Sequence, residues 1–398
     1  MYSKIKVTYP SGYEKFMCIG GNCEDTCCKG WDIEIDKDTF IEYSKVSDEK
    51  MKNLLSENIH RNDDCSSDDL DYGVIKLNKE KRCPFLDKCN YCSIYTNIGE
   101  EYLSNICTQF PRVLNKVDKE YEISLDVSCI EAARIMLKNN EKIRFSSNER
   151  VFNKYIINDE YNTNSKKYKK SPVKYLKEIR RISIDIMQNR NYDLSMRFYI
   201  LGMFIKALEG KFEDDIKSVN SFINEYDVDE FVNYYDKTED NYAFQIDFFK
   251  RVIMEYKIKE EAITDEFKKY TENILKVFTG DKEEYIYKFN EYIEEIIDKN
   301  SYIFENYIVN YMYNNLFPFS ESDYMFEGYI MLLVRYAFIR FYLVGQYIIK
   351  GYEDIEDIIK LISLFARDIE HDKTYMNNIS EYIEENEYDN LEFANKLL

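Results

Sequence analysis

The stretch CIGGNCEDTCC at residues 18–28 and the stretch CPFLDKCNYC at residues 83–92 decide the character of the N-terminal part of this chain. All ten cysteines lie between Cys18 and Cys129, and residues 130–398 contain none. Thiolates at such short spacing are the usual ligands of zinc and of iron-sulfur clusters. The pattern therefore predicts a metal or cluster module at the N-terminus.

The predicted metal ligands are the grouped thiols, namely Cys18, Cys23, Cys27, Cys28, Cys83, Cys89, Cys92, Cys107 and Cys129. Cys65 stands apart in the acidic stretch NDDCSSDDLDYG, whose negative charge disfavours a further thiolate, so we expect it to bind no metal. The two histidines, His60 and His371, are not next to a cysteine group, which disfavours a mixed Cys/His zinc finger. Zinc and an iron-sulfur cluster with four cysteine ligands both stay open, because only one C-x2-C pair, Cys89 and Cys92, is present. The thiols allow either one four-thiolate site with spare cysteines or two sites.

The alternative use of so many cysteines is a disulfide framework, which belongs to oxidising compartments and small secreted domains. The N-terminus, MYSKIKVTYPSGYEKF, has no apolar h-region and no small-residue cleavage site, so nothing in it indicates export. We therefore expect a cytoplasmic protein with reduced thiols. Because adjacent side chains point in different directions on most backbones, we expect only one of Cys27 and Cys28 to bind a given centre.

The charge and hydropathy of the chain narrow the classes of partner. Its formal net charge of −20 argues against binding the phosphate backbone of nucleic acids, which requires a surplus of Lys and Arg. A basic protein partner suits that charge better, because a negative potential raises the rate of encounter with lysine-rich surfaces. The most apolar stretch, from Met325 to Ile349, is interrupted by Glu327, Arg335 and Arg340, so it predicts a buried core helix rather than a membrane span. We expect both arginines to pair with carboxylates, since burying an unpaired charge is costly.

We predict a mainly α-helical fold in which a small cysteine-rich α+β module precedes a larger all-helical domain. The module spans residues 1–142, and its predicted strands and helices are Ile5 to Tyr9, Val74 to Leu77, Tyr121 to Leu125, an amphipathic helix from Asp38 to Leu55 and another beginning near Cys129. Residues 143–171 are polar, lack helical periodicity and end in NTNSKKYKKSP, which predicts a linker. The helical domain is predicted at residues 172–398.

Apolar residues at three- and four-residue spacing define the helices of that domain. The predicted helices are Pro172 to Gln188, Leu194 to Glu209, Asp265 to Val277, Glu283 to Lys299, Tyr302 to Leu316, Asp323 to Lys350 and Glu353 to Asp372. The chain also carries 37 tyrosines, which either reflect a composition bias or line a binding groove.

The cysteine-containing blocks resemble the flagellin lysine-N-methylase family, whose N-terminal part is related to a small zinc- or iron-chelating domain. The blocks are CIGGNCEDTCCKGW, CPFLDKCNYCSIY, GEEYLSNICTQFPR and ISLDVSCIEAAR, in the order of the family. The stretch FENYIVNYMYNNLFPF at residues 304–319 is similar to the same family. Ile130 stands where the family has a proline after the last cysteine, which leaves the Cys129 thiol unchanged. The resemblance implies methyl transfer from S-adenosylmethionine to the lysine amines of flagellin, with a 4Fe-4S cluster required.

Two commoner architectures for S-adenosylmethionine chemistry do not fit the residues. No G-x-G-x-G turn follows a β-like run, and 12 glycines are few for a Rossmann-type methyltransferase. No C-x3-C-x2-C triad of the radical kind is present, because Cys23, Cys27 and Cys28 have only the first of its spacings. Without the resemblance, the residues also allow a non-catalytic protein that binds zinc or iron, or a zinc-stabilised adaptor that docks a basic partner.

Residues other than cysteine also bear on the site. The predicted helix from Tyr302 to Leu316 offers a polar stripe at helical spacing, which either contacts lysine or cofactor or forms an interhelical hydrogen-bonded seam: Tyr307, Asn310, Tyr311 and Asn314. Arg112, close to Cys107, either binds the carboxylate of S-adenosylmethionine in a bidentate contact or offsets the charge of thiolates. Trp31, the only tryptophan, either shields a cluster from water or belongs to an ordinary core.

Overall fold

The chain folds into two compact units in a computed structural model that describes residues 4–31, 33–152, 154–214, 217–227, 240–262, 264–279 and 282–398. Unit 1 comprises Met1–Ala132 and Phe145–Glu160, and unit 2 comprises Ala133–Arg144 and Tyr161–Leu398. The fold is mainly α-helical, as predicted, and the strands of the described residues all lie before residue 162.

Two small sheets organise unit 1. The strands are β1 (Ile5–Pro10), β2 (Ile33–Ile35), β3 (Ile59–Arg61), β4 (Gly73–Ile75), β5 (Arg112–Val117), β6 (Glu120–Leu125), β7 (Phe145–Arg150) and β8 (Glu160–Tyr161). The first helices are α1 (Lys37–Tyr43), α2 (Glu49–Asn58), α3 (Ser93–Ile98), α4 (Asn105–Gln109) and α5 (Ile130–Leu137).

The larger sheet has the strand order β7-β1-β6-β5-β8. Strand β1 is parallel to β6 and antiparallel to β7, while β5 and β6 form an antiparallel hairpin. Asp118 makes the hairpin turn with a φ of 59°, a left-handed conformation that a short Asp side chain tolerates. The register pairs Arg112 with Leu125 and so places Arg112 at the open end of the hairpin.

The smaller sheet, of order β2-β4-β3, forms a core with α1, α2 and α3. Buried Asp36 begins α1 by accepting a hydrogen bond from the Thr39 amide at 2.9 Å. Its second carboxylate oxygen accepts from the Asn105 amide, also at 2.9 Å. Asp36 thereby fixes the start of α4, which carries Cys107, beside the smaller sheet.

Two local predictions for this part of the chain were wrong. Residues 143–171 are not a linker, because β7 pairs with β1 over six residues, from Ile5 opposite Arg150 to Pro10 opposite Phe145. The side chains of this edge strand are almost all exposed, so no apolar alternation marks it in the sequence. The helix predicted from Asp38 to Leu55 is two helices, and Asp48 begins the second by accepting from the Met51 amide at 2.7 Å.

Unit 2 is built almost entirely from helices. They are α6 (Leu176–Met187), α7 (Leu194–Asp214), α8 (Val219–Glu225), α9 (Asp240–Glu255), α10 (Ile258–Glu261), α11 (Asp265–Val277), α12 (Lys282–Tyr292), α13 (Ser301–Asn314), α14 (Met325–Lys350), α15 (Ile355–Phe365), α16 (Lys373–Glu385) and α17 (Leu391–Leu397). Five of the seven helices predicted in this region are confirmed within about five residues. The predicted helices Glu283 to Lys299 and Glu353 to Asp372 are confirmed as α12 and α15, each of which continues as a π-helix, at Ile293–Ile297 and Ala366–Glu370. Helices α8, α9, α10, α16 and α17 were not predicted.

Helix α14 is the centre of unit 2. It packs against α7, α9, α11, α12, α13, α15 and α17. Among the described helices it alone is long and apolar enough to cross a membrane, but its most apolar window of 18 residues is 100% buried in the protein. A helix that is apolar on all sides and enclosed by other helices is a core helix, as predicted.

The two arginines of α14 have different kinds of hydrogen-bond acceptor. Arg335 pairs with the carboxylates of Glu321 and Glu370, the second at 3.6 Å, which confirms the predicted pairing. Arg340 instead donates to the main-chain oxygens of Leu397 and Leu398 and to the amide oxygen of Gln245, so the prediction of a carboxylate side chain was wrong for this residue. Main-chain oxygens serve here because α17 and α9 both pack against α14.

Candidate functional site

Four cysteines lie in or against the apolar core under the smaller sheet of unit 1, and we call them the inner thiols: Cys28, Cys83, Cys92 and Cys107. The amide of Cys83 donates to the Cys28 carbonyl at 2.9 Å, which joins the ends of the two cysteine groups. Asp87 holds the intervening loop, because its Oδ1 accepts from the amides of Cys89 and Tyr91 at 2.7 and 2.9 Å. All ten cysteines of the chain are free of disulfide bonds.

The surroundings of the inner thiols resist the build-up of negative charge. Burial raises the pKa of Cys107 to about 12, and the charges of Cys28 and Cys92 act in the same direction. Burial likewise raises the pKa values of Cys83 and Cys92. Cys28 differs, because a hydrogen bond from Cys27 lowers its pKa to about 7 and the charge of Arg82 adds to that effect. A cation bound among these thiols would remove the repulsion between their thiolates.

Cys18 and Cys23 flank the turn at residues 20–22, and we call these two residues and Cys129 the outer thiols, because the charges of both act on Cys129. Burial raises the pKa of Cys129 to about 11, and the charges of Cys23 and Cys18 raise it further. Cys27 has electrostatic contacts with Cys129 as well as with Cys28 and Cys107. A Cβ at Gly21 would collide with the carbonyl oxygen of Cys89, so the turn rests directly on the second cysteine loop.

Apart from Cys89, the predicted ligands therefore have other cysteines as neighbours, but they do not converge on one position that could hold a metal ion. Within the part of the chain that the structure describes, no three His, Cys, Asp or Glu side chains are placed to hold a metal ion. Cys89 is exposed and lies outside the apolar cluster of the inner thiols. Cys65 contacts Arg61 and Asp71 in the acidic loop, away from both groups.

A cavity of about 490 Å³ in unit 1 contains Arg112 and two further cations, Arg150 and Lys154, in its wall. Arg150 pairs with Glu14 at 2.7 Å. Arg112 lies 5.3 Å from the centre of the Phe16 ring and has no carboxylate partner among the ion pairs of the described residues. Its side chain is hydrogen-bonded to Tyr13. A guanidinium that lines a cavity without a carboxylate partner is suited to bind a carboxylate in a bidentate contact.

Two other features complete the wall of this cavity. The ammonium of Lys154 donates to the Thr39 hydroxyl and to the carbonyls of Glu101 and Leu103, at 3.0, 2.9 and 2.7 Å, all of them neutral acceptors. The rings of Phe152 and Tyr155 stand edge to face with 5.9 Å between their centres. The cavity thus combines positive charge with aromatic surface.

The polar stripe predicted on α13 lies inside unit 2. Tyr307 and Tyr311 are 1% and 6% exposed, and their hydroxyls donate to Glu370 and Glu321 respectively, the second at 2.7 Å. Arg335 pairs with both carboxylates and lies 4.7 Å from the Tyr311 ring centre. The remaining members of the stripe, Asn310 and Asn314, are buried as well. These contacts form an interhelical hydrogen-bonded network, and contact of the stripe with lysine or cofactor stays a prediction.

Comparison with known proteins gives a family match for the helical part of the chain. The FliB lysine N-methylase C-terminal domain matches residues 180–397, which is most of unit 2. The chain belongs to the FliB lysine N-methylase family. It is 22% identical over 406 residues to a lysine-N-methylase of Salmonella typhimurium, which covers 96% of each chain. It is also 30% identical over 166 residues, 42% of this chain and 96% of the relative, to the flagellar biosynthetic protein FliU of Salmonella muenchen. No solved structure matches the chain.

Within this FliB-family chain, the structure adds one residue beside the thiols that the sequence analysis did not consider. Arg82 directly precedes Cys83, and its charge reaches Cys28, whereas Arg112 lines the cavity, is hydrogen-bonded to the Tyr13 side chain and lies over the Phe16 ring. The side chain of Arg82 donates to Asn90 at 2.5 Å, which fixes it over the second cysteine loop. The feature of the sequence that could have indicated Arg82 is its position directly before Cys83.

Trp31 lies at the edge of the thiol groups in this member of the FliB family. Its indole N–H donates to the Cys27 carbonyl, and its ring centre is 5.2 Å from that of Phe110. The tryptophan therefore supports the loop that ends in the adjacent cysteines. The peptide bond between Phe110 and Pro111 in the same region is cis.

Proposed function

We propose that this protein transfers methyl groups from S-adenosylmethionine to lysine side chains of flagellin, and that its cysteine-rich unit carries an iron-sulfur cluster. The observation that carries the proposal is the family match over residues 180–397, together with a similarity to a lysine-N-methylase that spans 96% of both chains. The cysteine blocks of unit 1 support the cluster, because all-thiolate ligands suit iron-sulfur centres.

The reaction is a displacement at a methyl group. The lone pair of a neutral lysine Nε attacks the sulfonium methyl, a new N–C bond forms, and the S–C bond breaks to leave neutral S-adenosylhomocysteine. The methylated nitrogen carries the positive charge until it loses a proton to solvent. Because the reference pKa of lysine is about 10.4, the protein must favour the neutral amine, and removal from water has that effect.

The acidity of the protein suits the approach of a lysine side chain. The formal net charge of −20 gives a negative potential that raises the rate of encounter with lysine-rich surfaces. A carboxylate beside the reacting amine would raise the pKa of that amine. The acidic groups therefore attract the lysine to the protein, and apolar surroundings at the point of reaction would lower its pKa and favour the neutral amine.

The cavity of unit 1 is the proposed site for S-adenosylmethionine. Arg112 has no carboxylate partner among the described ion pairs and would take the carboxylate of the amino-acid end, while Glu100 in the same wall would take its ammonium group. The aromatic pair of Phe152 and Tyr155 offers a face for the adenine ring. A cavity of about 490 Å³ is large enough for a ligand of this size.

The thiols of unit 1 fit a soft metal centre by their chemistry. The inner thiols lie in an apolar cluster in which burial opposes their ionisation, and soft thiolate ligands select zinc or iron-sulfur clusters over hard cations. A bound 4Fe-4S cluster would supply an electron carrier and a Lewis-acidic iron. Zinc held by the same thiolates would supply stability alone.

The experiment is a methylation assay on protein purified without oxygen. Flagellin and labelled S-adenosylmethionine are added, and lysine methylation is mapped by peptide mass spectrometry. Arg112→Met is expected to raise the KM for S-adenosylmethionine roughly tenfold to hundredfold, since a hydrogen-bonded charge pair contributes about 1.5–3 kcal/mol. Arg181→Met, which removes an exposed arginine of unit 2, is the matched control and should leave KM unchanged. Wild-type protein that binds metal but methylates no flagellin lysine would contradict the proposal.

A further inference from the structure

Residues 161–177 form a strongly basic stretch in an otherwise acidic protein, and we call it the lysine segment. Its sequence, YNTNSKKYKKSPVKYLK, contains six lysines and no Asp, Glu or Arg. Because the whole chain has a formal net charge of −20, the segment contributes +6 and the remaining residues −26. A block of like charges of this size is typical of an interaction surface.

The backbone of the lysine segment is fixed on unit 2. The amide of Ser171 donates to the Tyr168 carbonyl at 3.0 Å, and Val173 is completely buried. The hydroxyl of Tyr161, at the start of the segment, donates to the Phe319 carbonyl at 3.3 Å. The lysines are therefore presented to solvent from an ordered surface.

Five lysines of the segment are exposed and have no carboxylate partner among the ion pairs of the described residues: Lys166, Lys167, Lys169, Lys170 and Lys174. Other exposed lysines of unit 2 do pair with a carboxylate, as Lys276 does with Glu272 at 2.9 Å. A carboxylate partner stabilises the ammonium form, which has no lone pair with which to attack a methyl group. The lysine segment therefore concentrates amines that are open to methylation.

We propose that these five lysines are themselves methylated by a second copy of this enzyme. The inference rests on the proposed function and adds a modification site within the chain. The lone pair of the neutral lysine Nζ attacks the sulfonium methyl of S-adenosylmethionine held by the other copy. The N–C bond forms as the S–C bond breaks, S-adenosylhomocysteine leaves, and the methylated nitrogen loses a proton to solvent.

A second copy suits the lysine segment by its charge. The residues outside the segment carry a net charge of −26, and a negative potential raises the rate of encounter with lysine-rich surfaces. The substrate of the proposed function is a separate protein, so the site receives lysines from outside its own chain. The lysine segment of another copy is presented to the site in the same way.

The aromatic rings of the segment do not suit single-stranded nucleic acid, the other partner that a lysine-rich surface could bind. Bases bind such surfaces by stacking on free aromatic faces. Here the Lys167 Nζ lies over the Tyr168 ring at 4.9 Å from its centre, and the Lys174 Nζ lies over the Tyr175 ring at 5.1 Å. The net charge of the whole chain also repels a phosphate backbone, so an acidic protein surface is the better match.

The experiment incubates the full chain, purified without oxygen, with S-adenosylmethionine that carries a trideuterated methyl group, once alone and once with flagellin. Peptide mass spectrometry is expected to find the label on lysines of the segment, and none on Lys276 or Lys299, which pair with carboxylates. The fraction labelled per unit time should rise in proportion to protein concentration, because two copies must meet. An excess of flagellin should lower it, because both proteins compete for one site. A labelling rate per molecule that does not depend on concentration would contradict methylation by a second copy.

Variants separate this reaction from the methylation of flagellin. Replacing all five lysines by arginine keeps their charge and removes the acceptor amines, so labelling of the enzyme should be lost while labelling of flagellin is retained. The matched control replaces two exposed, paired lysines, Lys276→Arg and Lys299→Arg, and should change neither. Labelled flagellin with an unlabelled lysine segment would overturn this inference and leave the proposed function standing. Absence of label from both proteins would overturn both.

Discussion

Replacement of Glu353 by Gln should remove a specific pH dependence from the stability of unit 2. Glu353 lies between α14 and α15, half-buried, and its carboxylate accepts hydrogen bonds from the Tyr292 hydroxyl at 3.2 Å and the Gln346 amide at 3.4 Å. Burial is the main reason that its pKa is raised from 4.5 to about 7. The folded state therefore keeps the proton over a range of pH in which the unfolded state has released it.

The sign and size of the effect follow from that difference. The folded carboxyl binds more protons than the unfolded one above about pH 4.5, so its contribution to stability is lost as pH rises through about 7. Between about pH 5.5 and pH 8 the loss is about 2 kcal/mol, since one pKa unit corresponds to ~1.36 kcal/mol. Because glutamine does not ionise, Glu353→Gln should gain about 2 kcal/mol on the wild type over the same interval.

The assay is urea unfolding at the two pH values, followed by two signals. Far-UV circular dichroism reports mainly the helices of unit 2, and the fluorescence of Trp31, the only tryptophan, reports unit 1. The variant should shift the helical transition by the amount given above. Glu384→Gln, an exposed position on α16, is the control. A difference between Glu353→Gln and wild type that is constant with pH, or an equal change in the control, would refute the reasoning.

Two further substitutions test contacts inside unit 2. Tyr307→Phe removes the donor to Glu370 and should cost about 1–3 kcal/mol of stability, with metal content and turnover per folded molecule unchanged; reduced turnover would instead give the tyrosine a part in the reaction. Gly328→Ala should destabilise the protein measurably in thermal unfolding, because the new Cβ would collide with the Pro318 carbonyl oxygen. Gly210→Ala on α7 meets open space and should stabilise by about 0.5–1 kcal/mol, so equal effects of the two alanines would contradict the packing described for Gly328.

The sequence predicted best those elements whose own residues determine them. Helix α11 was predicted from Asp265 to Val277, which are its observed ends, because the apolar period and the cap at Thr264 are both local. Strand β7 was missed, because its residues are almost all exposed and its partner strand β1 is far away in sequence. The split between α1 and α2 was missed because both halves continue the same amphipathic pattern.

The candidate site, like the fold, was predicted from the sequence only in part. Sequence spacing identified the cysteines as a group, but it could not show which of them meet, since Cys28 and Cys107 are joined only by the packing of α4 against β2. The cavity around Arg112 could not be predicted from the sequence either, because Lys154, which lines it, belongs to the segment predicted to be a linker. Local chemistry can be read from a sequence, whereas the contacts between distant segments that complete a site cannot.

The most direct test of the central claim is to follow a trideuterated methyl group from S-adenosylmethionine to flagellin. Protein purified and reconstituted with iron and sulfide without oxygen is incubated with both substrates, and flagellin peptides are examined by mass spectrometry. The account predicts modified lysines that carry the intact trideuterated methyl group and an equal amount of S-adenosylhomocysteine. Flagellin that stays unmodified in the presence of protein with its full complement of metal would contradict it.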